Sequence, residues 1–401
     1  MRAKLITSLL FICLSAHAEE INEMSYLDFY KQLHDNSSLI KVKKYELEAE
    51  EDKLNQVKLF FLPKINADYT AKEKYGEDIT EAKISANSTL FTTELNAEIK
   101  QSNEKFKLTK LSLIQEEERL FRLMIENVIS IKVYNELLME AEVLKKQSID
   151  LYNQIDKNFQ LGLAKPSDRN QGKLLIEKIQ TDIESISREI ELFKANIELA
   201  TGVEYPEQGV EIDSTKLNEI ENFVANDSNL SQNVDYQILK TQASIAHEEI
   251  KKQYPLFNVK LISEYKMKDG DRTDESYLGV QVGVNLFNYD NYSNRKSKAT
   301  LYLAALEKSD YKLKELSSKL KTTSYTKNSN IDEMNSLKAQ LDTTIKILNN
   351  QKSEYDISQS SYYEMLNTRY DLFSTKKRIA DKKIGIYLNS IELQQLNGHL
   401  L

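Results

Sequence analysis

The sequence predicts a mainly α-helical, exported chain with a transmembrane β part, built as a tandem duplication of long coiled-coil helices and two β-hairpins. Three observations predict it. Segments alternate with a two-residue period, helical stretches carry apolar residues at a 3.5-residue period, and the same order of elements occurs twice.

The address comes first in the chain. Arg2 and Lys4 precede an apolar run from Leu5 to Leu14, and Ala16-His17-Ala18 offers small residues at the positions signal peptidase accepts. Residues 1–18 therefore read as a signal peptide, with the mature chain starting near Glu19. Cys13, the only cysteine, admits a competing lipoprotein reading, against which Ile12 stands where a small residue belongs. Without Cys13 no disulfide can form, so packing and assembly must hold the chain.

Composition narrows the class. A chain of 401 residues with only 10 Gly and 4 Pro, but 29% charged residues, has few punctuators and must use long elements. A formal charge of -8 argues against nucleic acid as a partner, because phosphate recognition needs a basic stripe. Beyond the signal no run of 18 apolar residues occurs, so a bilayer would have to be crossed by strands.

Four segments have that pattern. Ile65, Ala67, Tyr69 and Ala71 alternate with Lys64, Asn66, Asp68, Thr70 and Lys72; Ala82, Ile84, Ala86 and Leu90 share the apolar face of the next run. These form a hairpin about Gly76, over roughly 62–91. Phe257, Val259, Leu261, Tyr265 and Met267, then Leu278, Val280, Val282, Val284 and Leu286, form a second over about 256–287, turning at Asp269-Gly270-Asp271-Arg272. Each run is close to the roughly 9–11 residues of a tilted transmembrane strand. Two soluble hairpins, each with one wet face, would show the same alternation.

The helices follow. Ile176, Ile179, Ile183, Ile186, Ile190, Phe193, Ile197 and Ala200 step by threes and fours, a coiled-coil seam that requires a partner helix. Phe121, Met124, Val128, Ile131, Tyr134, Leu138 and Ala141 supply another, resuming at Tyr152, Ile155 and Phe159. No Pro or Gly interrupts 94–161, a rod of about 100 Å at 1.5 Å per residue. A shorter helix from about Met24 to Phe60 precedes the first hairpin, and one over about 166–201 follows the long helix.

The order then repeats: Leu62-Pro63 and Tyr254-Pro255 open the two hairpins, Leu90-Phe91 and Leu286-Phe287 close them. The first repeat is read as 19–204 and the second as 230–401, with its long helix at about 290–357 and its last helix at about 362–398. A polar stretch over 205–229, with Pro206, Gly209 and several acids, is a small equatorial insert between them.

Over essentially the whole mature chain this layout resembles the TolC-type outer-membrane efflux proteins. The run Phe159-Gln160-Leu161-Gly162-Leu163-Ala164-Lys165-Pro166-Ser167-Asp168 is similar to that family's turn between long and short helices at the periplasmic tip. Its second copy is Tyr355-Asp356-Ile357-Ser358-Gln359-Ser360-Ser361-Tyr362-Tyr363-Glu364, where Ser358 replaces the customary Gly and Glu364 the customary Asp.

The resemblance implies a homotrimer in outer-membrane lipid: a twelve-stranded β-barrel continued by an α-helical tunnel through the periplasm. It implies a passive channel for efflux or type I secretion, powered by an inner-membrane transporter through a periplasmic adaptor protein. That adaptor would grip the tips at Gly162, Leu163, Ala164, Ser358 and Gln359. The gate would comprise Glu364, with Asn367 where the family has a second acid, and a lock between Tyr355 and Asp168 in which Ser360 replaces the family's Arg.

No enzyme, cofactor or metal site is expected. His34, His247 and His399 lack ligand spacing and read as solvated, and no Gly-rich phosphate loop follows a strand. Glu116-Glu117-Glu118 and Glu50-Glu51-Asp52 are either cation sites or solvated faces. The alternative function is an exported periplasmic coiled-coil scaffold that transports nothing.

Overall fold

The computed structural model describes residues 23–74, 77–253, 256–268, 274–286, 288–356 and 362–400. Strand β1 (Met24–Ser25) and helices α1 (Tyr26–Asn36) and α2 (Ser38–Lys58) lead to strands β2 (Lys64–Lys74) and β3 (Glu77–Thr92). The long α3 (Leu95–Gln160) and the returning α4 (Pro166–Thr201) follow. After β4 (Val210–Glu211), α5 (Ser214–Glu221) and a 3-10 turn (Asp227–Gln232), the pattern resumes. Its elements are α6 (Val234–Lys252), β5 (Phe257–Lys268), β6 (Glu275–Val284), α7 (Tyr289–Asp356) and α8 (Tyr362–Leu396).

The single helix expected over 24–60 is two. Ser37 accepts from Ile40 N as the cap of α2 while its own N–H donates to Leu33 O, closing α1. One residue thus ends one helix through its N–H and starts the next through its hydroxyl, a role Ser favours over a place in a helix interior.

Both hairpins join one antiparallel sheet in the order β2-β3-β5-β6. Asn66, Ser85, Glu264 and Tyr277 form one cross-strand row, Ala67, Ile84, Tyr265 and Ser276 the next. The register breaks between Thr89 and Phe91, so Leu90 is the extra residue of a β-bulge, and Phe91 takes the rung opposite Val259 that alternation would give its neighbour. Phe91 stacks on Phe257 there, with centroids 5.2 Å apart. The turns read at Gly76 and at 269–272 lie outside the described residues.

Beneath the sheet the helices stand side by side in the same order. Near the strands α2 packs on α3, α3 on α6 and α6 on α7; farther away α4 packs on α3, α3 on α8 and α8 on α7. The isoleucine seam of α4 is buried at Ile179, Ile183, Ile186, Ile190 and Ile197, with Leu175 deeper than Ile176. On α3 the buried set is broader than one seam: Leu120, Ile125, Ile129, Val133 and Leu137 join Met124, Val128 and Ile131 because α3 has neighbours on both sides. Tyr134 stacks on Phe193 of α4 and bonds Asp381 of α8 at 3.0 Å.

Between the two helical sets, β4 pairs in parallel with β1, and Tyr387 of α8 donates to Glu221 of α5. Lys327 of α7 donates to Phe223 O at 2.9 Å, and Lys132 of α3 reaches Ile212 O. No described helix is long and apolar enough to cross a membrane.

Candidate functional site: a two-faced sheet, two flanks and two tips

One face of the sheet is apolar across all four strands. Ile65, Tyr69, Ile84, Tyr265, Leu278 and Val280 belong to it, with 70% of Ile65, 72% of Tyr69 and 73% of Leu278 exposed. Strand pleating sends every second side chain the same way, so the antiparallel register gathers these residues from both hairpins. The opposite face is a lattice of ion pairs. Glu81 meets Lys266 at 2.7 Å and Lys72 at 3.6 Å; Lys83 meets Glu264 at 2.8 Å, and Tyr277 donates to the same carboxylate. Alternating Lys and Glu in the strands was the signal for this network, although alternation alone could not say which residues would meet.

The sheet is open. Each of β2 and β6 pairs with one neighbour only, so the described residues close no barrel. Its free edges continue downward as free flanks, α2 and α4 on one side and α7 on the other. On α7 the buried Leu316, Leu320 and Lys327 mark the packed side. Tyr289, Tyr311, Tyr325 and Ile347 follow at intervals of 22, 14 and 22 residues, near whole helical turns, on the opposite side. Their exposures of 66, 69, 76 and 44% leave a stripe of three tyrosines, continued by Ile347, along the rod.

At the first tip, Leu163 N donates to Asn158 O and Gly162 N to Phe159 O, the paired bonds of a Schellman ending. Gly162 has φ +73°, a conformation in which a side chain is strained. Leu161 and Leu163, 65 and 77% exposed, stand out from the turn with Ala164 half-buried beside them. Pro166 then opens α4, and Asp168, three residues after the cap Lys165, accepts from Lys165 N and from the Ser167 hydroxyl. Arg169 pairs with Asp156 and lies over the Phe159 ring, stapling α4 to the end of α3.

At the second tip Ser358, Gln359 and Ser360 lie outside the described residues. Tyr355 packs against Tyr362, ring centroids 4.2 Å apart, on a cavity of about 340 Å³ also lined by Gln154, Lys352, Met365 and Arg369. Burial pulls the Arg369 guanidinium below its usual range. Glu364 sits in the first turn of α8, and both it and Asn367, one turn on, are exposed while Met365 and Leu366 between them are buried. Asp168 spends its bonds within its own turn, and Tyr355 packs on the other helix pair.

The charge run on α3 is not a uniformly solvated face. Glu116 pairs with Arg119, Glu117 meets His34 at 3.2 Å, and Glu118 is 5% exposed. Burial, then the nearby Asp235, pushes the Glu118 carboxyl up to about 7. The histidines are engaged as well: His247 packs on Tyr302, and His399 lies 3.2 Å from the Asn229 amide. No group of three or more His, Cys, Asp or Glu with metal-binding geometry occurs among the described residues.

This arrangement is shared with solved structures. CusC, a protein that forms a transmembrane channel, superposes with TM-score 0.81 at 14% identity, covering 93% of this chain and 92% of that one. The outer membrane protein VceC from Vibrio cholerae gives 0.77 at 11%, covering 93% and 96%. The Campylobacter jejuni CmeC outer membrane channel gives 0.77 at 13%, covering 100% and 94%. No protein-family model and no curated protein matches the sequence. The likeness establishes the fold: this chain has the architecture of the TolC-type outer-membrane channels.

Proposed function

We propose that the chain is one subunit of a passive outer-membrane channel, three copies of which close a twelve-stranded barrel over a tunnel of helices. The observation that carries this reading is the coincidence of an exposed apolar sheet face with two flanks that stay open from strand to tip. Four strands with free edges cannot face lipid, because unpaired N–H and C=O groups cost several kcal/mol each in hydrocarbon. Pairing β6 of one copy with β2 of the next removes every edge, puts the apolar face toward lipid and turns the ion-pair lattice inward. The same contact covers the tyrosine stripe of α7 with the α2 and α4 flank of its neighbour.

The two repeats then supply a helical conduit into the periplasm. A passive channel needs an external engine, so the reading includes an inner-membrane pump and a periplasmic adaptor bound at Gly162, Leu163 and Ala164. Efflux is the role supported by likeness of fold; type I secretion would use the same duct. Around a threefold axis Glu364 forms an acidic ring at the narrow end, with Asn367 a turn farther in. A periplasmic scaffold would bury its apolar strand face in water-soluble packing, and here that face is bare. Mass measurement of detergent-extracted protein should give a trimer that dissociates on heating and resides in outer-membrane fractions. A monomer of unchanged secondary structure would overturn the reading.

A further inference from the structure

The polar face of the sheet is unevenly charged along its length. Rows distant from the helices mix signs: Asp68, Lys83, Lys266 and Glu275 share one row, and Glu264 sits in the next. The three rows nearest the helices are different. Lys64, Asn87, Ile262 and Gly279 form the first, Thr89, Lys260 and Gln281 the second, and Thr92, Asn258 and Gly283 the third. Those rows contain two lysines and no acid. Neither lysine makes an ion pair among the described residues, whereas Lys72, Lys83 and Lys266 all do.

We propose that Lys64 and Lys260 form an unneutralised cationic collar where barrel meets tunnel, and that it favours anionic solutes and the anionic ends of cargo. This rests on the channel reading, which makes the polar face the lumen and repeats the pair three times around it. Six ammonium groups facing one another across a water-filled, low-dielectric-walled passage raise the local potential together. One kT of positive potential enriches a monovalent anion about 2.7-fold and depletes a cation equally, a discrimination of about sevenfold. At 10 mM salt, with a Debye length of about 30 Å, the field fills the passage; at 1 M, with about 3 Å, it does not.

The reporter is a cysteine in the Lys64 row, one row from Lys260 on the same face. Cys13 is the only native cysteine, so the unsubstituted chain serves as the blank. In intact assembled protein, Asn87→Cys should react about sevenfold faster with a sulfonate-bearing methanethiosulfonate than with a trimethylammonium-bearing one. Both rates are normalised to free thiol and measured at 10 mM salt. The ratio should fall toward one in Lys64→Gln/Lys260→Gln and in 1 M salt. Asn66→Cys, one row farther up on the same face, is a second reporter if Asn87→Cys assembles poorly. A ratio near one or below in the native background, or one unmoved by the double Gln change, overturns the collar. Ile84→Cys on the apolar face separates the two proposals: if it reacts with both charged reagents as fast as Asn87→Cys, the apolar face is not in lipid, and the channel reading itself fails.

Discussion

The two long helices are close in length, 66 residues for α3 and 68 for α7, yet they carry different loads. Helix α3 buries 18 residues, among them Leu120, Ile125, Ile129 and Val133. Among the described residues α7 buries only Ser309, Leu316, Leu320, Thr323, Lys327, Met334 and Leu337. The difference follows from position: α3 stands inside a wall four elements wide, with α2, α4, α6 and α8 around it, while α7 stands at the edge against α6 and α8. A repeated order of elements thus gives an inner rod packed on four neighbours and an outer rod with one side left open.

Paired substitutions test that division, and the largest effect is expected here. Ile125 is fully buried, so Ile125→Asp places an uncompensated carboxylate in the core and should cost about 3–5 kcal/mol. The subunit itself should melt early and yield little folded protein. Tyr325, 76% exposed, should show the opposite pattern: Tyr325→Asp leaves the helicity of the chain and the melting of the separated subunit unchanged but lowers the trimer fraction. Thermal melts and native mass measurement on both variants decide it. If Tyr325→Asp unfolds the chain, or assembles as well as the parent, the outer flank of α7 is not an interface.

A smaller effect sharpens what α3 tolerates at its crowded centre. The Glu118 carboxyl titrates near 7 in the folded chain because burial and Asp235 disfavour its charge, against about 4.5 for the ordinary group. A raised acid pKa means the folded state binds the proton more tightly than the unfolded one, so the penalty for ionisation is absent below about pH 4.5. It grows between there and 7 and is full above it. Glu118→Gln should therefore stabilise the protein by about 1–3 kcal/mol at pH 8 and by nothing measurable at pH 4. Denaturant titrations at the two pH values check the sign. Equal effects at both would remove burial of the charge as the cause.

Much of this architecture was legible because each element writes its own period. The isoleucines from Ile179 to Ile197 announced a seam, and the alternation from Ile65 to Ala71 a strand face, since both depend on one neighbour direction only. What escaped was decided by second neighbours. The extra apolar positions on α3, such as Ile125 and Ile129, blur a single seam because two partners are being served. Glu118 looked solvated as the third acid of a run; it is buried because α6 packs across that turn. Ser37 carries no Pro or Gly to mark a break, and the bulge at Leu90 shifts a register that alternation cannot count across. At the tips, the turn through Gly162 and Pro166 was legible through its resemblance to the family motif, whereas the packing of Tyr355 on Tyr362 leaves no periodic trace in the sequence.

The smallest expected effect separates the two tips. Asp168 and Glu364 are each the third residue of a returning helix, α4 opening at Pro166 and α8 at Tyr362, where an acid is favoured by the macrodipole. Asp168 is committed to its own turn through Lys165 N, so Asp168→Ala should cost about 1 kcal/mol of local helix stability. If it also ties the tips together, open conductance rises as well. Glu364 is exposed beside Asn367, and in a trimer three such carboxylates about 6 Å apart would repel by about 3 kcal/mol per pair at an effective dielectric near 20. That repulsion is relieved by a bound cation. Bilayer recordings with divalent or trivalent cations added on the periplasmic side should show block in the parent and in Asp168→Ala, and weaker block in Glu364→Ala. Block that survives Glu364→Ala undiminished would take Glu364 out of the gate; block lost equally in both variants would mean that the tips act as one unit and that the inequality between the two repeats ends above them.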